Sequence, residues 1–360
     1  MTRRTFLLTP LLLRAAGRKP NLVLVMARGW RGVATPWARD PDLKAPFLDQ
    51  FAEMAFVFPR AYAAYPRFSP ARAAIASGRY PHATGATREG AVLAKNEPTL
   101  AAALKENGYH AAELTNLVDT LVDTLPREQP YFLSILLDPR LSGASFDPGS
   151  LHLRENVPAD AESAARDALA QRYAAYRQMD QQFGKVLAAI DASNTIVVFT
   201  SDAGEQIGSH GLDEDDTFYE ESARVPLAIR IPGIKASPSD LFVSHVDLMP
   251  TLGALCGADP VEGVQGRDLS SLMTGGRGDR PESVLVEGRI GQRDEWRMLV
   301  IGVDKIVTDA AGDPTHLFNL AADPYEKRNL AAEKSAELKR DQLLAMMRAE
   351  RSRLLDFRRR

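Results

Sequence analysis

The chain has 360 residues, 45% of them hydrophobic and 25% charged, with a formal net charge of −3. That composition fits a soluble globular protein with a sizeable core, arranged as one large or two unequal domains. The charge balance excludes a general pull towards nucleic acid, and the single cysteine, Cys256, excludes an intrachain disulfide or a cysteine-built metal site.

The N-terminus, MTRRTFLLTPLLLRAAGRKPN, sets Arg3 and Arg4 before a short apolar run from Phe6 to Leu13. It resembles a twin-arginine export leader over residues 1–18, which implies a periplasmic protein; the alternative is a frayed N-terminus on a cytoplasmic one. The run is too short to cross a bilayer, which needs roughly 20 apolar residues. NLVLVM (21–26) reads as a buried parallel strand, and residues 45–55 have helical periodicity. In SPARAAIASG, Ser69 is the expected N-cap, Pro70 suits the first helical position and Gly78 ends the helix. TLAAALKENGYHAAEL predicts a helix, a glycine stop and a strand. YFLSILL (131–137), NTIVVFTSD (194–202) and VPLAIRIPG (225–233) are further strands, with a long amphipathic helix from about 161 to 192 before the second of them. Asp247 is placed to cap a helix over LMPTLGALCG.

Alternating strands and helices predict an α/β fold, a mostly parallel sheet sandwiched by helices over residues 19–257. Chemistry in such sheets collects beyond the carboxyl ends of the strands, here marked by Met26, Leu137 and Thr200. Over 258–334 the texture changes to SVLVEG, RMLVIGVDKIVTD and THLFNL, a small antiparallel α+β subdomain. A helical basic tail, 335–360, ends in RSRLLDFRRR.

Seven strings occur in the order and spacing of one family: KPNLVLVMA, FSPARAAIASGRYPHATG, EPTLAAALKENGY, TIVVFTSDAGEQIGSHGL, YEESARVPLAIRIPG, SHVDLMPTLGALCG and HLFNLAADPYEKRNLA. From about Lys19 to Ala331 the chain resembles the sulfatases of the alkaline-phosphatase-like superfamily. The resemblance implies a Cys or Ser oxidised to formylglycine, whose hydrate attacks a sulfate ester. It also implies a divalent cation, usually calcium, held by acidic residues at two strand ends, with Lys and His on the sulfate. Most of that machinery is absent. Phe68 stands at the nucleophile position, followed by the retained Pro70 and Arg72; Arg28 and Gly29 replace the first acidic pair. Asn116 and Val118 stand where the Lys and His are expected, and Arg140 replaces a further His. Asp202 survives as a remnant metal ligand beside Ala203, and the last Lys position falls near Asp215.

Neither calcium nor formylglycine is therefore expected. Two readings of Arg28 stay open: it pairs with Asp202 in place of the cation, or it faces solvent while Asp202 caps a turn. Arg72, Arg28 and Arg140 are anion-binding candidates, because arginine suits bidentate oxyanions; alternatively Phe68 fills the old pocket and Arg72 is held internally. A Ser69–His210 pair is a further candidate for activation. Trp30 and Trp37 read as loop anchors or as covers of the old metal site, and DEDD (213–216) as a solvated acidic loop. The functional expectation is a catalytically inactive, pseudo-sulfatase protein that binds a sulfated or other anionic ligand or glycan, or acts as a scaffold, without nucleic acid or an integral membrane segment. The alternative is an active sulfuric- or phosphoric-ester hydrolase with a rebuilt site.

Overall fold

The computed structural model describes residues 18–116, 121, 125–126, 128–138, 146–213, 215–237 and 239–356. In chain order its first half comprises Asn21–Ala27 (β1), Pro46–Ala52 (α1), Phe56–Val57 (β2), Arg60–Tyr62 (β3), Phe68–Ser77 (α2), Pro81–Thr84 (α3), Leu100–Glu106 (α4), His110–Thr115 (β4) and Tyr131–Leu137 (β5). Then come Glu162–Ala189 (α5), Thr195–Ser201 (β6), Glu220–Ala223 (α6), Leu227–Arg230 (β7), Phe242–Ser244 (β8) and His245–Leu255 (α7). The last part holds Ser270–Met273 (α8), Ser283–Gly288 (β9), Trp296–Ile301 (β10), Asp304–Asp309 (β11), Pro314–Asn319 (β12) and Glu337–Asp356 (α9).

The main sheet runs β2-β7-β6-β1-β5-β4. Strands β6, β1, β5 and β4 are parallel, whereas at one edge β7 pairs antiparallel with β6 and β2 pairs antiparallel with β7. Every residue of β1 and β6 is buried, which is why both read as unbroken apolar runs: a parallel strand covered on both faces has no solvent side to mark. Side chains still alternate. Leu22, Leu24 and Val198 join one core with Leu104 of α4 and Leu252 of α7, while Val23, Val25 and Val197 join the other with Phe51 of α1 and Phe183 of α5.

Strands β9 to β12 form the expected small antiparallel sheet, and α9 lays Leu343 and Met347 against its Leu299 and Ile306. No described helix is long and apolar enough to cross a membrane. The export leader expected over residues 1–18 lies almost wholly outside the described residues.

Two helix starts differ from expectation. Helix α2 begins at Phe68, with the extended Arg67 as N-cap and no side-chain cap, so Ser69 is not the cap. Pro70 is tolerated as the third helical residue because the first N–H groups of a helix have no intrahelical acceptor to lose. Asp247 is not the cap of α7 either. It sits one turn in, and its Oδ2 accepts the backbone N–H of Ser244, the true N-cap, at 2.8 Å.

Candidate functional site

Parallel register sets the site. Ala27 pairs with Leu137 on one side and with Ser201 on the other, so Arg28, Asp138 and Asp202 emerge side by side beyond the strand ends. The first two turns of α2 bring Phe68 and Arg72 to the same place: the Arg72 Nε lies 3.9 Å from Asp202 Oδ2.

Asp202 is fully buried. Its Oδ1 accepts the backbone N–H groups of Gly29 at 3.1 Å and Ala203 at 3.0 Å, while its Oδ2 has no hydrogen-bond partner. Burial pushes its carboxyl up to about 6, against the opposing pull of the Gly29 N–H, Arg72 and Arg28.

Arg28 does not pair with Asp202. Its Nη1 lies 3.2 Å from Asp138 Oδ2, and its guanidinium carbon sits 4.3 Å from the centre of the Phe68 ring. The half-buried phenyl group thus carries a cation on its face. Arg72 donates from Nε to the Phe68 carbonyl at 3.2 Å, and its Nη2 stands 4.0 Å from Glu89 Oε1. Neither terminal nitrogen of Arg72 makes a hydrogen bond among the described residues.

The remaining sequence candidates separate. Asn116 is a strand-end clasp: its side chain donates to the Asp138 carbonyl at 2.6 Å and accepts the Asp138 N–H at 2.8 Å. Val118 and Arg140 lie outside the described residues. Ser69 and His210 are not paired, since Ser69 Oγ donates to Glu89 Oε1 at 2.8 Å while His210 stacks on Tyr219 and meets Asn156 through Nε2 at 2.9 Å. Trp30 is an anchor, fully buried and stacked on Tyr176 at 4.5 Å. The acidic run is not simply solvated: Asp216 is buried, with Arg67 at 3.3 Å.

Two residues at the site were not singled out from the sequence. Glu89 is one. Glu205 is the other: a Cβ added at Gly29 would fall 2.5 Å from Glu205 Oε1, so Gly29, at φ +68°, makes room for a carboxylate from another loop. That carboxylate is held by Arg172 at 2.6 Å.

The sulfatase family model matches residues 20–119 and 144–258. The chain belongs to the sulfatase family. It is 25% identical to the ulvan-active sulfatase of Formosa agariphila, over 94% of this chain and 82% of that one. With arylsulfatase K of Danio rerio the figures are 24% identity, 88% and 81%. Among solved structures, the phosphonate monoester hydrolase of Agrobacterium radiobacter superposes with a TM-score of 0.80 at 19% identity, covering 93% of this chain and 96% of that one, and so shares the alkaline-phosphatase-like fold.

The sulfatase cofactors do not fit the residues present. Calcium takes about six to eight oxygen ligands. Here Asp202 Oδ2, a carboxylate oxygen without a hydrogen bond, faces the guanidinium of Arg72, and Glu205 is engaged by Arg172. Among the described residues, metal-ligating side chains converge in threes only at His210, Glu221 and Glu326, a different cluster. Phe68 has neither the thiol nor the hydroxyl that oxidation to formylglycine consumes.

Proposed function

We propose that this sulfatase-family protein binds an anionic ligand, sulfated or otherwise, and does not hydrolyse it. The observation that carries the reading is the Phe68 ring at the nucleophile position with the Arg28 guanidinium 4.3 Å above it. A phenyl group cannot attack sulfur, and the neighbouring Ser69 hydroxyl is tied to Glu89 with no histidine beside it. What remains is an arginine pair at a helix mouth. Arg72 keeps its terminal N–H groups available for an oxyanion, in the first turns of a helix whose free N–H groups favour negative charge. Both arginines already face carboxylates, Asp138 for Arg28 and Glu89 for Arg72, so a bare anion binds weakly.

Assays of aryl sulfate and aryl phosphate esters, with and without calcium or manganese, test the reading alongside calorimetry with sulfate. The expected result is no turnover, with weak sulfate binding that Arg72→Ala removes. Turnover abolished by Arg72→Ala would mean a rebuilt hydrolase. Absence of any anion binding would leave a purely structural protein.

A further inference from the structure

Beside Arg72 the fold leaves a cavity of about 230 Å³, bounded by α2 and α4 on one side and by β1, β5 and β4 on the other. Its walls are apolar, with Leu24, Phe132 and Leu136 from the sheet and Ile75 from α2. The sheet face explains its floor. Leu24, Ser134 and Glu113 lie in one row across β1, β5 and β4, with Met26, Leu136 and Thr115 in the next row towards the strand ends. Ser134 is the one residue of β5 that is not fully buried, because the cavity lies over it. A small polar residue in an otherwise apolar central strand leaves space that a leucine would fill.

The charges are arranged along this space. Arg72 stands at the strand-end side, fixed there by its approach to Asp202. Glu113 lines the cavity from the exposed edge strand. Pockets for whole small molecules typically hold roughly 300–1,000 Å³ and combine apolar walls with a few polar groups. This one is smaller, so it suits part of a ligand. A cation at one end fixes a single anionic head, and a carboxylate on the rim disfavours a second.

We propose that the cavity receives the apolar tail of a monoanionic amphiphile, a short alkyl or aryl sulfate, whose head group sits on Arg72. The inference rests on the anion-binding reading above and names the class of ligand it serves. It also supplies what the weak arginine site lacks, since the tail contributes affinity that the head group cannot.

Calorimetry with inorganic, methyl, butyl and hexyl sulfate, and with hexanol, tests it on the intact chain. Affinity should rise about fourfold per methylene from methyl to butyl sulfate and then level as the cavity fills. Ala76→Leu on α2 and Ala101→Leu on α4 both add bulk to the cavity lining. Each should abolish the dependence on chain length while leaving inorganic sulfate binding unchanged; two variants on different helices guard against one that fails to fold. If sulfate binds but all alkyl sulfates bind alike, the cavity assignment is overturned and the anion reading stands. If neither sulfate nor alkyl sulfates bind, both fall. Tail-dependent binding that hexanol matches, or that Arg72→Ala leaves intact, would overturn the head-group placement.

Discussion

Where the small antiparallel sheet meets the main one, the buried carboxylates have cations against them, although Glu221 Oε2 makes no hydrogen bond and burial lifts Glu326 to about 7. Lys305 is fully buried between Glu220 at 3.1 Å and Glu326 at 2.6 Å, and Glu221 takes Arg154 at 2.5 Å and Asn156 at 2.8 Å. At the ends of the parallel strands the nearest cation to Asp202 stands 3.9 Å away. Asp202 keeps an oxygen without a hydrogen bond, and burial lifts Glu205 and Asp216 to about 7 despite Arg172 beside the first and Arg289 and Arg67 beside the second. The same residue types therefore do different things. The first cluster joins two parts of the fold; the second lies beyond the strand ends, where perturbed carboxyls gather at the candidate site.

The comparison breaks most visibly at Lys305. Removing one partner of a buried ion pair leaves an uncompensated charge and costs about 3–5 kcal/mol. Lys305→Met should lose that much stability in urea denaturation at neutral pH. A loss below about 1 kcal/mol would mean that the cluster relaxes or hydrates and does not hold the fold in the way proposed.

The pH dependence of stability sharpens the contrast between Glu221 and Asp216, whose contributions have opposite signs. Burial alone would raise the Glu221 carboxyl, but Arg154, the Asn156 hydrogen bond and Arg31 hold it down to about 2, from an ordinary 4.5. A folded value below the unfolded one stabilises above the unfolded value and loses that contribution as pH falls through about 2. Asp216 runs the other way: burial raises it from 3.8 to about 7, so its contribution is fullest below 3.8 and is lost as pH rises through about 7. Glu221→Gln should thus be less stable than the parent at neutral pH by about 3 kcal/mol, with the deficit closing in acid. Asp216→Asn should gain on the parent between pH about 4 and 7. Thermal melts across pH check both, and slopes of the same sign would remove the distinction between the two residues.

Much of the fold was legible because apolar runs such as NLVLVM and TIVVFTS can hardly be anything but strands buried on both faces. That Phe68, Arg28 and Gly29 belong to one site was legible because the surrounding strings kept family spacing. The pairings were not. Arg28 reaches Asp138 because Ala27 and Leu137 are register partners, and register between distant segments is a tertiary fact. Ser69 was misread as a cap because Ser-Pro is a strong local signal, yet the extended Arg67 is the cap and the helix starts two residues earlier, at Phe68. Glu89 reaches the site from a loop outside the family strings, and Glu205, although it follows Asp202 within one of them, has no residue type or spacing that singles it out.

Glu89 offers the finest test of the strand-end region. Its carboxylate accepts the Ser69 backbone N–H at 3.1 Å and the Ser69 hydroxyl at 2.8 Å, and lies 4.0 Å from Arg72 Nη2. Ser69 is the second residue of α2, so its N–H is one that the helix itself cannot satisfy. The chain's own acid therefore occupies the position that the helix mouth and Arg72 would offer an external oxyanion. Glu89→Gln keeps the shape and a hydrogen-bond acceptor while removing the competing charge. At about 4 Å and near solvent, one charge pair is worth about 1 kcal/mol, so sulfate affinity should improve about fivefold. Stability should change by less than about 1 kcal/mol, as for other exposed pairs. Tighter binding would mark Glu89 as an internal stand-in for the ligand. Unchanged or weaker binding would instead make it part of the support that holds Ser69 and Arg72 in place, and the anion would have to meet Arg72 from another side.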